Sequence, residues 1–304
     1  MEKYILLLSF TIGITLMQPI ASSTKYIDQK DKEETIGTYL YSFLYKNDQL
    51  TLPAAEKASK KSIIFDLDGV LLTTNKSQAF CEIGISTTLQ YITTMLKLPS
   101  QADLFKALEL APAKTTEDSF NEGFRMPQIM VDWQCGAQSL VEVQKSMINH
   151  IDSLDNLTPI EKTLQKNTVM MMTNPDAFIR TRQKTSSSVE LLSELKKSGY
   201  KLYILSNWDP TSFALLQDQF PEIFKYEDEE MFDGIMISGN EGLLKPNQSI
   251  FKKCLNKFDI QASNAIFIDD TIENIDTAKK TGLTSIHCQN KSLLNVLQQL
   301  IAIL

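Results

Sequence analysis

The sequence predicts an α/β fold, a parallel β-sheet with crossover helices that is interrupted by a long inserted helical domain. Three observations predict it. Short apolar runs alternate with helical patterns from about residue 61 onward, which is the rhythm of βαβ units. The three strongest apolar runs each end abruptly in polar residues, as strands do at the open edge of a parallel sheet. More than a hundred residues, Asn75 to Thr185, separate the first strong run from the second, far more than a crossover needs.

Taken in order, the chain opens on Met1-Glu2-Lys3, an apolar run from Tyr4 to about Met17, and Ala21-Ser22-Ser23. That is the layout of a secretory signal peptide over residues 1–23, with an apolar stretch inside the usual range of about 7–15 residues and small residues at the cleavage site. It is too short to span a bilayer comfortably, so no stable membrane insertion is expected once it is removed. An uncleaved anchor or an apolar N-terminal helix is the alternative. Cleavage implies a secreted or periplasmic protein; the alternative location is cytoplasmic. Residues 24–60 form an N-terminal accessory segment, in which Asp31 to Lys46 alternates charged and aromatic residues like a surface helix.

Ser62 to Phe65 is the first buried strand, ending at Asp66. The insertion, 75–185, shows helical periodicity such as Leu104-Phe105-Lys106-Ala107-Leu108, broken by Pro and Gly. A helix from Val189 to Ser198 follows, with Ser187-Ser188-Val189-Glu190 in the pattern of a capping box and Gly199 as its stop. Lys201 to Leu205 and Ala265 to Ile268 are the other strong strands; Gly234 to Ile237 and Thr284 to Cys288 are weaker ones. Residues 61–74 and 186–304 thus make one core around the insertion.

Composition narrows the function. The 304 residues are 43% hydrophobic and 22% charged, ordinary for a globular chain, and the length suits about two domains. A net charge of -7 with no clustered Lys and Arg excludes a nucleic-acid footprint. Cys81, Cys135, Cys254 and Cys288 are widely spaced with no CxxC pair, so they read as structural thiols and not as a zinc or redox site. His150 and His287 are isolated and read as structural.

The chemistry lies where the strands end. They present Asp66-Leu67-Asp68-Gly69-Val70, then Ser206-Asn207-Trp208-Asp209, then Asp269-Asp270-Thr271-Ile272-Glu273-Asn274. Four carboxylates, Asp66, Asp68, Asp269 and Asp270, therefore converge on one edge. Such crowding calls for a hard cation with oxygen ligands, and Mg²⁺ is the natural one. With it bound, Asp66 could attack an electrophilic phosphorus while Asp68 protonates the leaving oxygen and then activates water. Lys245, ahead of Pro246 at an expected helix entrance running through Phe258, would offset the negative charge. Ser206 and the backbone N–H groups near Asn207 would bind phosphoryl oxygens, with Lys245.

These four segments, in this order, resemble the haloacid dehalogenase-like superfamily over about Lys61 to Cys288. The resemblance implies a Rossmann-like core, Asp66 as nucleophile, Asp68 as acid/base, and Mg²⁺ held by the Asp66 side chain, the Asp68 carbonyl and Asp269, with Asp270 in support. It makes the insertion a helical cap, from which Arg125, Trp133 and Gln134 could face substrate; cap packing is the equal alternative for each. The stretch from Leu205 through Phe220-Pro221-Glu222-Ile223-Phe224 looks most like small sugar-phosphate phosphatases. A small phosphorylated metabolite is then the substrate, and the motifs carry no information on oligomeric state. A dehalogenase would not need Asp68. A phosphomutase and a non-catalytic protein that kept the fold stay open as alternatives.

Overall fold

The structure, a computed structural model, describes residues 52, 54–56, 61–111 and 126–304. The expected leader, the expected helix at 31–46 and Arg125 lie outside the described residues. Five strands form the main sheet: β1 (Ser62–Phe65), β4 (Lys201–Ser206), β7 (Gly234–Ile237), β8 (Ala265–Asp269) and β9 (Thr284–His287), in the order β7-β4-β1-β8-β9. Every adjacent pair is parallel. The fold is therefore the α/β class that the alternating runs predict.

Between β1 and β4 the chain leaves the sheet through β2 (Leu72–Thr74) and returns through β3 (Arg182–Lys184), two short strands that pair antiparallel with Thr74 opposite Arg182. The segment between them contains α1 (Lys76–Ile83), α2 (Ile85–Met95), α3 (Gln101–Glu109), α4 (Gln128–Gln134), α5 (Leu140–Ser153), α6 (Pro159–Thr173) and α7 (Pro175–Arg180). Ser100, Ser139 and Thr158 form capping boxes with Asp103, Glu142 and Glu161, so three of these helices begin where local side-chain chemistry dictates. Back in the core follow α8 (Ser188–Lys197), α9 (Pro210–Gln219), α10 (Pro221–Phe224), a hairpin of β5 (Lys225–Tyr226) and β6 (Glu229–Glu230), α11 (Ser238–Glu241), α12 (Gln248–Lys257), α13 (Ile272–Lys280) and α14 (Leu293–Ile303).

Two local expectations fail. Ser187 is left-handed at φ 64° and its side chain makes no cap bond, so the helix after it starts at Ser188 without a capping box. The Lys245–Pro246 peptide is cis, and Asn247, whose side chain accepts from Ser249 N–H, caps a helix that begins at Gln248 and ends at Lys257. The helix expected to open at Pro246 thus opens two residues later, and Lys245 lies in the loop ahead of it.

Period-two alternation splits the sheet's side chains between two cores. Ile63 and Phe65, with Leu202, Ile204, Ile266 and Ile268, join the larger cluster, which continues under α8 and α14. Ile64, Leu205 and Phe267 face the other way, onto Ile250, Phe251 and Cys254 of α12 and Ile275 of α13. Each fully buried aliphatic or aromatic side chain here contributes about 1.5–3 kcal/mol. Burial pushes the Cys254 thiol up to about 12, which suits the structural role expected of it. The two packed faces leave the carboxyl edge of the sheet open to polar residues, and β1 sits at its centre.

Candidate active site

β1 brings Asp66 to that edge between β4 and β8, because Phe65 is level with Ile204 on one side and Ile268 on the other. The Asp66 N–H donates to the Ile268 carbonyl at 2.9 Å, which continues the ladder one residue past the strand. Its carboxylate is buried and unevenly served. Oδ1 accepts from Leu67 N–H at 2.7 Å and Ser206 Oγ at 2.6 Å, with Lys245 Nζ at 3.0 Å. Oδ2 is buried with no hydrogen-bond partner among the described residues. One oxygen orients the group and the other is bare, the arrangement that a nucleophile or a metal ligand requires.

Asp269 ends β8. It accepts from Thr271 N–H at 2.8 Å, from Asn274 Nδ2 at 3.0 Å on both oxygens, and from Lys245 Nζ at 2.7 Å. Burial pushes its carboxyl up to about 7, against the downward pull of Lys245 and Thr271 N–H. Burial pulls Lys245 down, but Asp269 and then Asp66 outweigh it and hold the ammonium above the ordinary lysine value. The lysine is a fixed buried cation shared by two carboxylates. Asn207 holds its backbone in place: Lys245 N–H donates to Asn207 Oδ1 at 2.9 Å and Asn207 Nδ2 donates back to the Lys245 carbonyl at 3.0 Å.

After Asp66 the chain turns tightly, with Val70, Leu71 and Leu72 N–H groups all donating to the Leu67 carbonyl. Gly69 is at φ +87°, and a Cβ there would lie 2.0 Å from Asp270 Oδ2. That glycine lets Asp270 approach. Asp66, Asp269 and Asp270 then offer carboxylate oxygens all within 4.8 Å of one another. A hard-oxygen donor set of this kind fits a divalent cation such as Mg²⁺.

The seven residues singled out from the sequence, Asp66, Asp68, Ser206, Asn207, Lys245, Asp269 and Asp270, thus all lie around one edge, where Ser206 and Asn207 bond to protein groups. Ser206 Oγ, expected on a phosphoryl oxygen, donates to Asp66 Oδ1. The Asn207 side chain bonds to the Lys245 backbone, which leaves the backbone N–H groups near Asn207 as the groups expected on phosphate. Sequence reasoning also missed neighbours. Arg182, fully buried, donates from Nη1 to Asp68 Oδ2 at 2.8 Å, across 114 residues of sequence. Asn274 steadies Asp269 from the first turn of α13; its spacing of five residues from Asp269 is the signal that could have found it.

The helical insertion meets this edge. Ser238 Oγ donates to the Gln134 carbonyl at 2.5 Å and accepts from Trp208 N–H at 3.1 Å, so α4 is tied to the loop after β4. Trp133, Phe178 and Trp208 form a series of rings with centroids 6.5 and 5.4 Å apart. Trp133 and Gln134 are both buried, with Trp133 Nε1 and Gln134 Oε1 unpartnered among the described residues. His150 and His287 bond to the backbone carbonyls of Ala107 and Asp270, in keeping with their structural reading.

Comparisons with known proteins point the same way. A family model described as haloacid dehalogenase-like hydrolase matches residues 60–282. The chain is 33% identical over 97 residues to the sesquiterpene phosphatase astK of Aspergillus oryzae, covering 32% of this chain and 46% of that protein. It is 25% identical over 192 residues to the glyceraldehyde 3-phosphate phosphatase of Pyrococcus abyssi, covering 60% and 75%. The chain thus spans less than half the length of the first of these relatives. In architecture it is similar to a HAD family enzyme from Bacteroides thetaiotaomicron, solved as a magnesium complex, with a TM-score of 0.50, 17% identity, and 79% of this chain and 99% of that one covered.

Proposed function

This chain belongs to the haloacid dehalogenase-like hydrolases, and we propose that within them it is a Mg²⁺-dependent phosphatase of a small phosphorylated metabolite, working through an aspartyl-phosphate on Asp66. The observation that carries the reading is the division of labour on Asp66, with Oδ1 held by three donors and Oδ2 bare and buried. The phosphatase names of two relatives and the magnesium bound by a structural neighbour support it.

In this reading Asp66 Oδ2 bonds to phosphorus as the bond to the leaving oxygen breaks, and Asp68 delivers a proton to that oxygen. Asp68 then takes a proton from the water that attacks the phosphorus, and Asp66 is released. Lys245 holds Asp66 and Asp269 in place and offsets charge on the phosphoryl group. Ser206, by a turn about its Cα–Cβ bond, exchanges Asp66 for a phosphoryl oxygen. The Asp66 side chain, the Asp68 carbonyl, Asp269 and Asp270 would hold Mg²⁺, which supplies neutralisation of the carboxylate cluster and of the phosphoryl charge.

Residues 75–185 act as a cap in this proposal, supported by the paired strands β2 and β3 that carry the chain out and back and by the contact of Gln134 with Ser238. Trp133 and Gln134 are then its substrate-facing candidates. Export through residues 1–23 is part of the proposal, supported by the sequence layout alone; Edman sequencing of the mature protein beginning near Thr24 would bear it out, and an intact Met1 would remove it.

The test is phosphate release from an aryl phosphate and a sugar-phosphate panel, with Mg²⁺, with chelator, and with Asp66→Asn. Release abolished by both interventions is the expected result. Transfer of label between sugar isomers would instead mark a mutase. No turnover of any kind by folded, Mg²⁺-binding protein would leave a binding role.

A further inference from the structure

We propose that Arg182 is the positioning residue for Asp68, so that the orientation of the proton donor depends on how the return strand of the helical insertion is seated. The inference rests on the phosphatase reading, in which Asp68 hands a proton to the leaving oxygen.

Arg182 is held on every side. Nη1 donates to Asp68 Oδ2 at 2.8 Å, while Nε and Nη2 donate to Thr181 Oγ1 at 3.2 and 2.9 Å. The face of the guanidinium lies 4.5 Å from the centroid of the Phe178 ring. Thr181 in turn donates from Oγ1 to the Phe178 carbonyl at 2.6 Å, and its own carbonyl accepts from Asn75 N–H at 2.7 Å. The side chain has no exposed surface, so its charge serves an internal partner and not solvent.

A guanidinium itself fixed by Thr181 and Phe178 holds one Asp68 oxygen at a set point, and that restricts where the other oxygen can lie. A lysine, a point charge on a flexible stem, would keep the attraction and lose the orientation. Proton transfer to a leaving oxygen needs hydrogen-bond geometry, and an error of about 1 Å in a reacting group can cost on the order of 100-fold.

The location of Arg182 gives the contact a second meaning. It is the first residue of β3, opposite Thr74 at the end of β2, on the paired strands that join the sheet to the helical insertion. Any shift of the insertion on the core passes through this ribbon. Arg182 thus ties the acid/base group to the seat of the insertion, and Asp68 is oriented for protonation when the ribbon is in place.

The test separates proton donation from the rest of the site by the leaving group. p-Nitrophenolate departs without a proton, whereas the alkoxide of glycerol 2-phosphate needs one. Wild-type protein, Arg182→Met and Arg182→Lys are assayed on both substrates, with circular dichroism and the unfolding midpoint read first. The loss of kcat/KM on glycerol 2-phosphate, which reports the steps through departure of the leaving group and not the later hydrolysis shared by both substrates, is expected to exceed the loss of kcat/KM on p-nitrophenyl phosphate by at least about tenfold in both variants. In an Asp68→Asn background the further change Arg182→Met is expected to leave the ratio of the two rates unaltered.

Equal losses on both substrates, or a differential that persists without Asp68, overturn the inference. If Arg182→Met is unfolded, Arg182→Lys carries the comparison with the same two outcomes. Wild-type protein inactive on both substrates would sink the phosphatase reading and this inference together; active wild type with equal losses sinks only the role of Arg182.

Discussion

At Gly69 the backbone turns with φ +87° directly beneath Asp270, and the space a methyl group would need is filled by that carboxylate. Gly69→Ala meets two penalties at once, a left-handed conformation and a Cβ 2.0 Å from Asp270 Oδ2. The expected cost is about 1–3 kcal/mol of stability, read from the unfolding midpoint. Displacing Asp270 should also raise the Mg²⁺ concentration for half-maximal activity by about tenfold or more. An alanine variant with unchanged midpoint and unchanged Mg²⁺ requirement would show that the turn relaxes and that Asp270 has no part in binding. At this scale the sequence was informative wherever a residue type had one plausible job at a strand end, as for Asp66, Lys245 and Asp269. It was silent on Arg182, since a single arginine after a helix carries no periodicity and its partner lies 114 residues away.

Among the elements, β4 shows how an exposed charge is wired into a buried strand. Asp233, just before β7, accepts from Leu202 N–H at 2.9 Å and Lys201 Nζ at 2.7 Å, with Lys196 Nζ at 3.5 Å. Burial would raise its pKa, but Lys201, the Leu202 N–H and Lys196 outweigh it and hold the carboxyl below the ordinary aspartate value. A carboxyl depressed in the folded state stabilises above its unfolded pKa, about 3.9, and that stability is lost as the pH falls through the folded value. Asp233→Asn should therefore be less stable than wild type at pH 7 by about 1 kcal/mol, discounted for solvent screening. In urea unfolding across pH, the gap should close as the solution is acidified below about pH 4. A gap of constant size down to pH 2 would assign the loss to the amide's geometry instead of the charge.

The same elements divide into legible and hidden ones for physical reasons. Ser62–Phe65, Lys201–Ser206 and Ala265–Asp269 are almost wholly buried, so their apolar runs were plain in the sequence. β2 and β3 are three-residue polar strands, Leu72–Thr74 and Arg182–Lys184, whose pairing is set by tertiary context and leaves no alternation to read. Ser187-Ser188-Val189-Glu190 matched a capping box, yet Ser187 turns left-handed while Ser188 is buried at the helix start, and tertiary placement overrode the local motif.

Taken over the whole molecule, the site's charges do not balance on their own. With all four ionised, Asp66, Asp68, Asp269 and Asp270 face two buried cations, Lys245 and Arg182, which leaves two negative charges, and without a further cation part of that excess is met by a proton on Asp269, whose carboxyl burial pushes up to about 7. Two negative charges are what one divalent cation neutralises, and hydrated monovalent ions are poor substitutes where oxygens lie within 4.8 Å of one another. Binding to the folded state alone stabilises it by about 2.7 kcal/mol at a hundredfold excess over Kd. For a domain of this size each 1 kcal/mol moves the midpoint by about 2–4 °C. Mg²⁺ at saturation should therefore raise the unfolding midpoint by several degrees, NaCl at equal ionic strength should not reproduce the rise, and Asp269→Asn should abolish most of it. An equal shift with NaCl would mean that general screening relieves the repulsion, and the charge cluster would then be a cost of the fold that no specific ion removes.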